Sequence, residues 1–400
     1  MVARTLILVE NLSVPFDRRV WQECRTLVDA GFEVTVICPR GVKRDRESLE
    51  ERDGVQIHRY PLEAATGGPV GYVREYGAAL WHTRRIAKRL ARAKPFDVVQ
   101  ACNPPDLLLP AVRSLKRNGT AFVFDHHDLV PELYESRFGR GRDRLYRLTL
   151  AAERWTFRIA DVVVSTNESY RRVALDRGGK RPEDVFVVRS APDLERFVRS
   201  EPDPSLARGK PHLLAYLGVM GPQDGVDHAL RALAGLRERR DDWHAIFVGE
   251  GDVLASMRAL AAGLGLEGVV EFPGRLPDDD VIRILSTADV CLAPDPKNPL
   301  NDVSTMNKIV EYMAMARPLV SYNLVEARVS AGDAALYADA NDPKSFAACI
   351  DALLDDPERR RRMGAEGRSR VERDLSWIHS QRELLRAYER ALELRRHDGV

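Results

Sequence analysis

Residues 298–320 read Asn-Pro-Leu-Asn-Asp-Val-Ser-Thr-Met-Asn-Lys-Ile-Val-Glu-Tyr-Met-Ala-Met-Ala-Arg-Pro-Leu-Val. The run just before them, Ala288 to Ala293, is apolar and reads as a buried strand. A polar loop follows, then a helix that starts near Ser304 or Thr305, either of which can serve as N-cap. The spacing turns Ile309, Met313 and Ala316 toward a core, which leaves Lys308, Glu311 and Tyr312 to reach the open end of the sheet. Pro318 stops the helix, and Leu319 to Tyr322 begins another strand. A helix N-terminus offers unpaired N–H groups and the positive end of a dipole, so it is a ready phosphate site. A carboxylate one turn further in can accept hydrogen bonds from sugar hydroxyls. The same pattern also suits an ordinary capped helix in an α/β sheet.

The stretch resembles the donor-binding loop of retaining glycosyltransferases of the GT-B fold, family 4. The motif there is two glutamates with seven residues between them, then a small-residue helix; Glu311 matches the second and the first falls on Val303. The resemblance implies that Glu311 holds the nucleotide ribose, with Asp302 next door taking over the missing glutamate's contact with the donor sugar.

Length and composition bound the rest. Four hundred residues suit two domains of ordinary size. The 61 basic and 60 acidic residues nearly balance, so nothing calls for nucleic acid. The five cysteines, Cys24, Cys38, Cys102, Cys291 and Cys349, are scattered singly and read as small buried hydrophobes. No spacing suggests a metal site. The first apolar run, Leu6 to Val9, is too short for a signal peptide, and no run is long enough to span a bilayer. The expected place is the cytoplasm, with peripheral attachment to the inner face of the plasma membrane left open.

Thr5 to Val9 reads as a buried parallel strand, followed by a helix from about Arg18 to Ala30 closed by Gly31, and by a strand at Glu33 to Cys38. This is a β-α-β unit without the Gly-Xaa-Gly-Xaa-Xaa-Gly dinucleotide fingerprint, so a nicotinamide dehydrogenase is disfavoured. Arg18 and Arg19 stand at the helix start, beside the expected crevice or in a solvated first turn. Strands at Gln56–Arg59, 96–101 and Thr120–Phe124 follow, with a long basic helix from Tyr72 to Ala93. The strand over 96–101 ends in Asn103-Pro104-Pro105-Asp106, whose prolines stiffen the loop and whose aspartate can cap the next helix. The strand from Thr120 ends in Asp125-His126-His127-Asp128. Titratable residues packed at the C-terminal end of such a strand lie where open α/β sheets bind ligands. The segment resembles the family's Asp-Xaa-His-Glu, with Asp125 and His127 in register and Asp128 in place of the glutamate. The resemblance makes His127 the catalytic candidate at the donor sugar and His126 its structural neighbour.

The segment 137–158 is the most basic in the chain, with Arg137, Arg140, Arg142, Arg144 and Arg147 close together. Leu145, Leu148, Ala152, Trp155 and Ile159 share one helical face. That face either packs on its own sheet or meets anionic lipid headgroups or a lipid-diphosphate acceptor. Strands at Val162–Ser165 and Val185–Arg189 complete this half, and Asp193 and Phe197 resemble the end of the family's N-terminal domain.

Residues 198–211 carry Pro202, Pro204 and Pro211 and read as a linker. The organisation expected is therefore a Rossmann-like acceptor-side domain over 1–197, a linker, and a Rossmann-like nucleotide-sugar domain over 212–376. A long C-terminal helix over 377–396 returns to the first domain. In the second half, a strand at Leu213–Leu217 runs into Gly218-Val219-Met220-Gly221-Pro222-Gln223-Asp224-Gly225. The family carries arginine and lysine where Val219 and Asp224 stand, both on the donor diphosphate. Gly218 and Gly221 leave backbone N–H groups to cradle phosphate, Lys308 is the replacement cation, and Asp224 is expected to turn to solvent. Gly249-Glu250-Gly251 matches the family's turn after the next strand, and Gly274-Arg275 lies in the segment whose backbone reads the base.

The fold class expected is α/β, GT-B: two Rossmann-like domains facing across a cleft. The function expected is metal-independent retaining transfer of a sugar from a UDP- or GDP-sugar co-substrate, with no cofactor, to a lipid-linked or polysaccharide acceptor of the cell surface. Catalytic candidates are His127, Asp302 and Lys308. Donor-binding candidates are Glu311, Ser304, Thr305, Gly218, Gly221, Gly249, Glu250 and Arg275, with Arg18, Arg19, Asn103, Asp125 and Asp128 around the cleft. Two other functions suit such a chain. A nucleotide-sugar 2-epimerase isomerises donor without an acceptor, and a non-catalytic nucleotide-sugar-binding protein shows no turnover.

Overall fold

The computed structural model describes residues 2–41, 45–62, 68–104, 106, 108–138 and 141–397, of which 68–73, 109, 138 and 397 by backbone alone. Pro105 and Arg140 lie outside these residues. The chain forms two compact units. One comprises Met1–Glu135, Arg140–Ser190 and Ile378–Val400; the other comprises Ser136–Gly139 and Ala191–Trp377.

The first unit is built on β1 (Arg4–Leu8), β2 (Glu33–Pro39), β3 (Leu49–Arg52), β4 (Val55–Tyr60), β5 (Val98–Cys102), β6 (Ala121–His126), β7 (Val162–Ser165) and β8 (Val185–Val187). Their order across the sheet is β3-β4-β2-β1-β5-β6-β7-β8. All pairs are parallel except β3 with β4. β1, β5, β6 and β7 are buried along their whole length, which is why apolar residues dominate them. β3, Leu-Glu-Glu-Arg, is a largely exposed edge strand with no such run. The sheet's order turns at β1, so β1 and β5 flank a topological switch point.

The second unit's sheet is wholly parallel, in the order β11 (Val270–Gly274), β10 (Trp243–Val248), β9 (His212–Leu217), β12 (Val290–Ala293), β13 (Leu319–Tyr322), β14 (Ala335–Ala338). Its switch point lies between β9 and β12. Tyr216, Trp243, Phe247, Tyr312, Tyr322 and Phe346 fill its core.

The C-terminal helix, Trp377–His397, belongs almost wholly to the first unit. Leu384, Ala387, Tyr388 and Ala391 recur at helical spacing and are fully buried. Tyr388 meets Phe32 edge to face at 5.6 Å, and Ser380 Oγ donates to Arg189 O at 2.8 Å.

Several features differ from the sequence-based expectation. The division falls between Ser190 and Ala191, earlier than residue 197. Phe197 is buried in the second unit's core, and the proline-rich segment is pinned rather than free: Ser200 N donates to Ser286 Oγ at 3.0 Å and Asp203 N to Thr287 Oγ1 at 2.9 Å. The helix after β12 spans Asn307–Ala314, later than Ser304 or Thr305. The chain first makes a short turn at Asn301–Val303, where Asn298 Oδ1 accepts from Leu300 N and Asn301 N, and Ser304 Oγ donates back to Leu300 O. Ser304 therefore closes that turn, and Met306, without a side-chain cap bond, opens the helix. Ala316, placed on a core face by spacing, lies past the helix end with a left-handed φ of 52°. Tyr312 does not reach the open end of the sheet; it is fully buried, accepting from Leu217 N at 2.8 Å and donating to Leu292 O at 3.1 Å.

Candidate active site

In the first unit the chemistry gathers at the C-terminal ends of β1, β5 and β6. Asp125 and His126 are the last residues of β6, and both are fully buried. His126 turns into the core among the rings of Phe124, Phe157 and Tyr170. The next residue steps out, and its side chain is 12% exposed. Asn103 fixes the step: its Oδ1 accepts from His127 N at 2.9 Å and Asp128 N at 3.0 Å, while its Nδ2 donates to Asp128 O at 2.7 Å. Asp106 accepts from Asn103 at 3.2 Å; it does not cap the following helix, which has no side-chain cap.

His127 Nδ1 lies 3.2 Å from Asp125 Oδ2. Burial alone would lower the imidazole's pKa, but the carboxylate of Asp125 outweighs it and lifts it to about 9. His127 is therefore a cation at neutral pH. Burial would raise Asp125, yet Arg19 and His127 hold it well below the usual carboxylate range. Arg19 Nη2 donates to Asp125 Oδ1 at 2.8 Å and lies 3.3 Å from Glu23 Oε1. Arg19 Nη1 donates to Val188 O at 2.8 Å. Arg19 is thus spent inside its own unit, whereas Arg18 is exposed at the helix start. Asp128 is half-buried, with its pKa raised by burial against the opposing pull of His127.

Ligand atoms of Glu23, Cys102 and Asp125 lie within 4.8 Å of one another, a spacing that suits a metal. Arg19 already bridges both carboxylates, so this set is an ion-pair core whose cation is a side chain. Sequence reading passed over two residues here. Glu23 is fully buried, and burial with Asp125 nearby pushes its pKa to about 8. Glu10, just past β1 at the switch point, is 3% exposed, and its pKa is likewise raised to about 8 by burial and Glu75. A lone carboxylate ending an apolar run was the available signal for Glu10.

In the second unit the expected donor residues Gly218, Gly221, Gly249, Glu250 and Arg275 follow the C-terminal ends of β9, β10 and β11. The glycines are there because backbones touch. A Cβ on Gly249 would sit 1.8 Å from Gly218 O, and one on Gly251 2.4 Å from Met220 O. Gly218 N donates to Val248 O, Met220 N to Glu250 O, and Gly249 N to Gly274 O. Gly221 N donates to Asp224 Oδ2 at 2.9 Å. The N–H groups of Gly218 and Gly221, expected to cradle phosphate, are therefore already engaged. Glu250 and Arg275 are exposed at the same edge.

Asp224 does not turn to solvent. Its carboxylate points inward, 4.0 Å from Lys308 Nζ, because Gly221 N and the ammonium hold it there. Lys308 is 7% exposed, and its Nζ donates to Asp295 Oδ1 at 2.6 Å and lies 5.1 Å from the Tyr216 ring centroid. Burial would lower the ammonium's pKa; Asp295 and Asp224 outweigh it and raise it. Burial, with Asp295 behind it, raises Asp224's pKa against Lys308. Asp295 lies two residues past β12 and was not among the expected residues. Asp302 accepts from Val325 N at 3.0 Å and lies 3.3 Å from Lys297 Nζ, which commits it to the start of the helix Val325–Ala331. Ser304, Thr305 and Glu311 are half-buried, Glu311 on the helix itself.

A family model described as Glycosyltransferase Family 4 matches residues 17–196, and one described as Glycosyl transferases group 1 matches 211–356. The chain is 25% identical to the 2-deoxystreptamine glucosyltransferase of Streptomyces kanamyceticus over 83% of its own length and 88% of that protein's. Its fold matches the sucrose-phosphate synthase of Thermosynechococcus elongatus with a TM-score of 0.80 at 17% identity, over 98% of this chain and 100% of that one. It also matches Anabaena HepE, solved in complex with UDP-glucose, with a TM-score of 0.71 at 15% identity, over 96% and 99% of the two chains. The two parallel-sheet units are those of the GT-B fold. With both halves of the chain matched and the fold in agreement, this protein is a sugar-transferring enzyme of glycosyltransferase family 4.

Proposed function

We propose that the enzyme moves a sugar, with retention of anomeric configuration, from a UDP- or GDP-sugar to a lipid-linked or polysaccharide acceptor in cell-surface glycan synthesis. The observation that carries this reading is His127. It is a cation held by a buried carboxylate, and it emerges at the sheet edge where α/β folds take their ligands. A cation so placed suits a sugar whose departing phosphate gains negative charge.

The bond that breaks joins the anomeric carbon to the donor's phosphate oxygen; the bond that forms joins that carbon to the acceptor oxygen on the same face. The acceptor's proton passes to the departing phosphate oxygen, so no covalent enzyme intermediate forms. His127 supports the sugar, Glu311 takes the ribose, and positioning supplies much of the rate. On this reading the reaction needs no metal, and turnover in EDTA should equal that without it.

The acceptor side rests on the helix Arg144–Ile159. Its packed face is Tyr146, Glu153, Thr156 and Phe157, so Leu145, Leu148 and Trp155 of the expected stripe face outward, while Ala152 is half-buried and Ile159 packs against the core. Leu145 is 44% exposed, Leu148 63% and Trp155 45%, amid Arg144, Arg147, Arg154 and Arg158. Such a face suits the headgroup region of an anionic membrane, which supports a peripheral position on the inner face of the plasma membrane.

The test is a thermal-shift screen of UDP- and GDP-sugars, UDP-glucose first, followed by transfer to lipid-linked and glycan acceptors with the product anomer read by NMR. Stabilisation by one nucleotide sugar and a retained anomer are expected. Donor isomerised with no acceptor consumed overturns the reading in favour of an epimerase.

A further inference from the structure

We infer that Tyr388 of the C-terminal helix is a positioning residue for His127, acting through Gln100, Glu23, Arg19 and Asp125. The inference rests on the reading of His127 as the group at the donor sugar. Tyr388 Oη donates to Gln100 Oε1 at 2.7 Å, and Gln100 Nε2 donates to Glu23 Oε2 at 2.7 Å. Glu23 Oε1 lies 3.3 Å from Arg19 Nη2, which donates to Asp125 Oδ1 at 2.8 Å. Asp125 Oδ2 is 3.2 Å from His127 Nδ1. Tyr388, Gln100, Glu23 and Asp125 are fully buried. The histidine is the end of the chain that reaches solvent.

The direction of each bond makes this a relay of position rather than a row of contacts. A phenol has one proton to give. Given to Gln100 Oε1, it fixes the amide with its NH2 toward Glu23. The opposite amide orientation would set an oxygen against a buried carboxylate. Arg19, the Gln100 donor and His127 favour an ionised Glu23 against burial and the nearby Asp125. While Glu23 is ionised, Arg19 is shared between two carboxylates. When Glu23 is protonated, Arg19 serves Asp125 alone, and the imidazolium faces a better neutralised partner. The charged groups around His127 are Asp125 and Asp128 on its own turn, and Arg19 and Glu23 from the helix Arg18–Asp29. Of these, Glu23 is the one Gln100 touches.

Tyr388→Phe removes the phenol oxygen and leaves the ring against Phe32. The test is an NMR titration of His127 in the full-length protein labelled at histidine, with His127→Asn for assignment. In Tyr388→Phe the His127 pKa falls by about half a pH unit or more, and the alkaline limb of turnover moves down with it. Gln100→Leu does the same one link nearer. Phe32→Leu loosens the same helix packing without touching the chain of bonds, and leaves the titration where it was. A His127 titration within about 0.2 unit of wild type in both folded variants, or an equal shift in Phe32→Leu, overturns the inference. A shifted titration together with full turnover in His127→Ala supports the relay and rejects instead the role proposed for His127.

Discussion

The ammonium of Lys308 lies 2.6 Å from the carboxylate of Asp295, and both side chains are buried at the switch point of the second unit. The cation expected to receive a diphosphate is therefore already neutralised, with Asp224 4.0 Å away on its other side. One ammonium between two carboxylates is a poor welcome for a dianion. Asp224 is the member with the freer geometry, held by one backbone N–H and a distant ammonium. Asp224→Asn removes a charge near the diphosphate and should tighten donor binding about tenfold at pH 7.5. The raised pKa of Asp224 gives a second signature. Wild-type donor affinity should rise as pH falls and Asp224 takes up its proton, and the variant should lose that dependence. Calorimetric affinities at several pH values decide it; equal affinity in the two proteins throughout rejects the arrangement.

Glu311 is half-buried on the helix Asn307–Ala314, where the resemblance puts the ribose. Charge-assisted hydrogen bonds of a carboxylate to hydroxyls contribute about 1.5–3 kcal/mol each. Glu311→Ala should weaken nucleotide-sugar binding about tenfold or more with the melting temperature of the free enzyme unchanged. Unaltered affinity would remove this helix from the donor site.

The pair Asp125–His127 sets a pH window. His127 has a folded pKa of about 9, above the ordinary value of 6.5. Its contribution to stability is therefore complete below 6.5 and is lost as pH rises through about 9. Asp125 has a depressed pKa, so its contribution is present at neutral pH and is lost as pH falls through the acid range. Turnover should decline on the alkaline side with the loss of the imidazolium. His127→Ala should cut kcat at least about a hundredfold with donor affinity nearly unchanged. An alkaline limb identical in wild type and His127→Gln would show that another group titrates there.

The fold was largely legible because both sheets are built mainly of buried parallel strands, which leave apolar runs such as Leu213–Leu217 and Val290–Ala293. β3 escaped because an antiparallel edge strand of Leu-Glu-Glu-Arg needs no such run. The start of the helix at Asn307 was hidden by Ser304, a good cap in composition that the preceding turn uses instead. Site residues at strand ends were visible one segment at a time. Their partnerships were not: Lys308 finds Asp295 and Asp224, and Tyr388 finds Gln100, across stretches of chain that carry no local signal. The inward turn of Asp224 has the same origin. It follows from a buried ammonium and a backbone N–H, neither of which the sequence places beside it.

The outward stripe of the helix Arg144–Ile159 makes the membrane reading testable apart from catalysis. Leu148 and Trp155 are among its exposed apolar side chains, flanked by Arg147, Arg154 and Arg158. Each large apolar side chain fully buried on binding contributes about 1.5–3 kcal/mol, and each arginine near an anionic surface about 1 kcal/mol. The apolar part is insensitive to salt and the arginine part is not. Sedimentation with phosphatidylglycerol vesicles should therefore exceed that with phosphatidylcholine vesicles and fall in high salt. The double variant Leu148→Asn, Trp155→Gln should bind anionic vesicles at least about tenfold more weakly. Because the packed face of the helix is untouched, its transfer to a water-soluble acceptor analogue should match wild type. Vesicle binding equal to wild type in the double variant would leave this face without a membrane role, and loss of soluble-acceptor transfer would instead place the stripe against the acceptor itself.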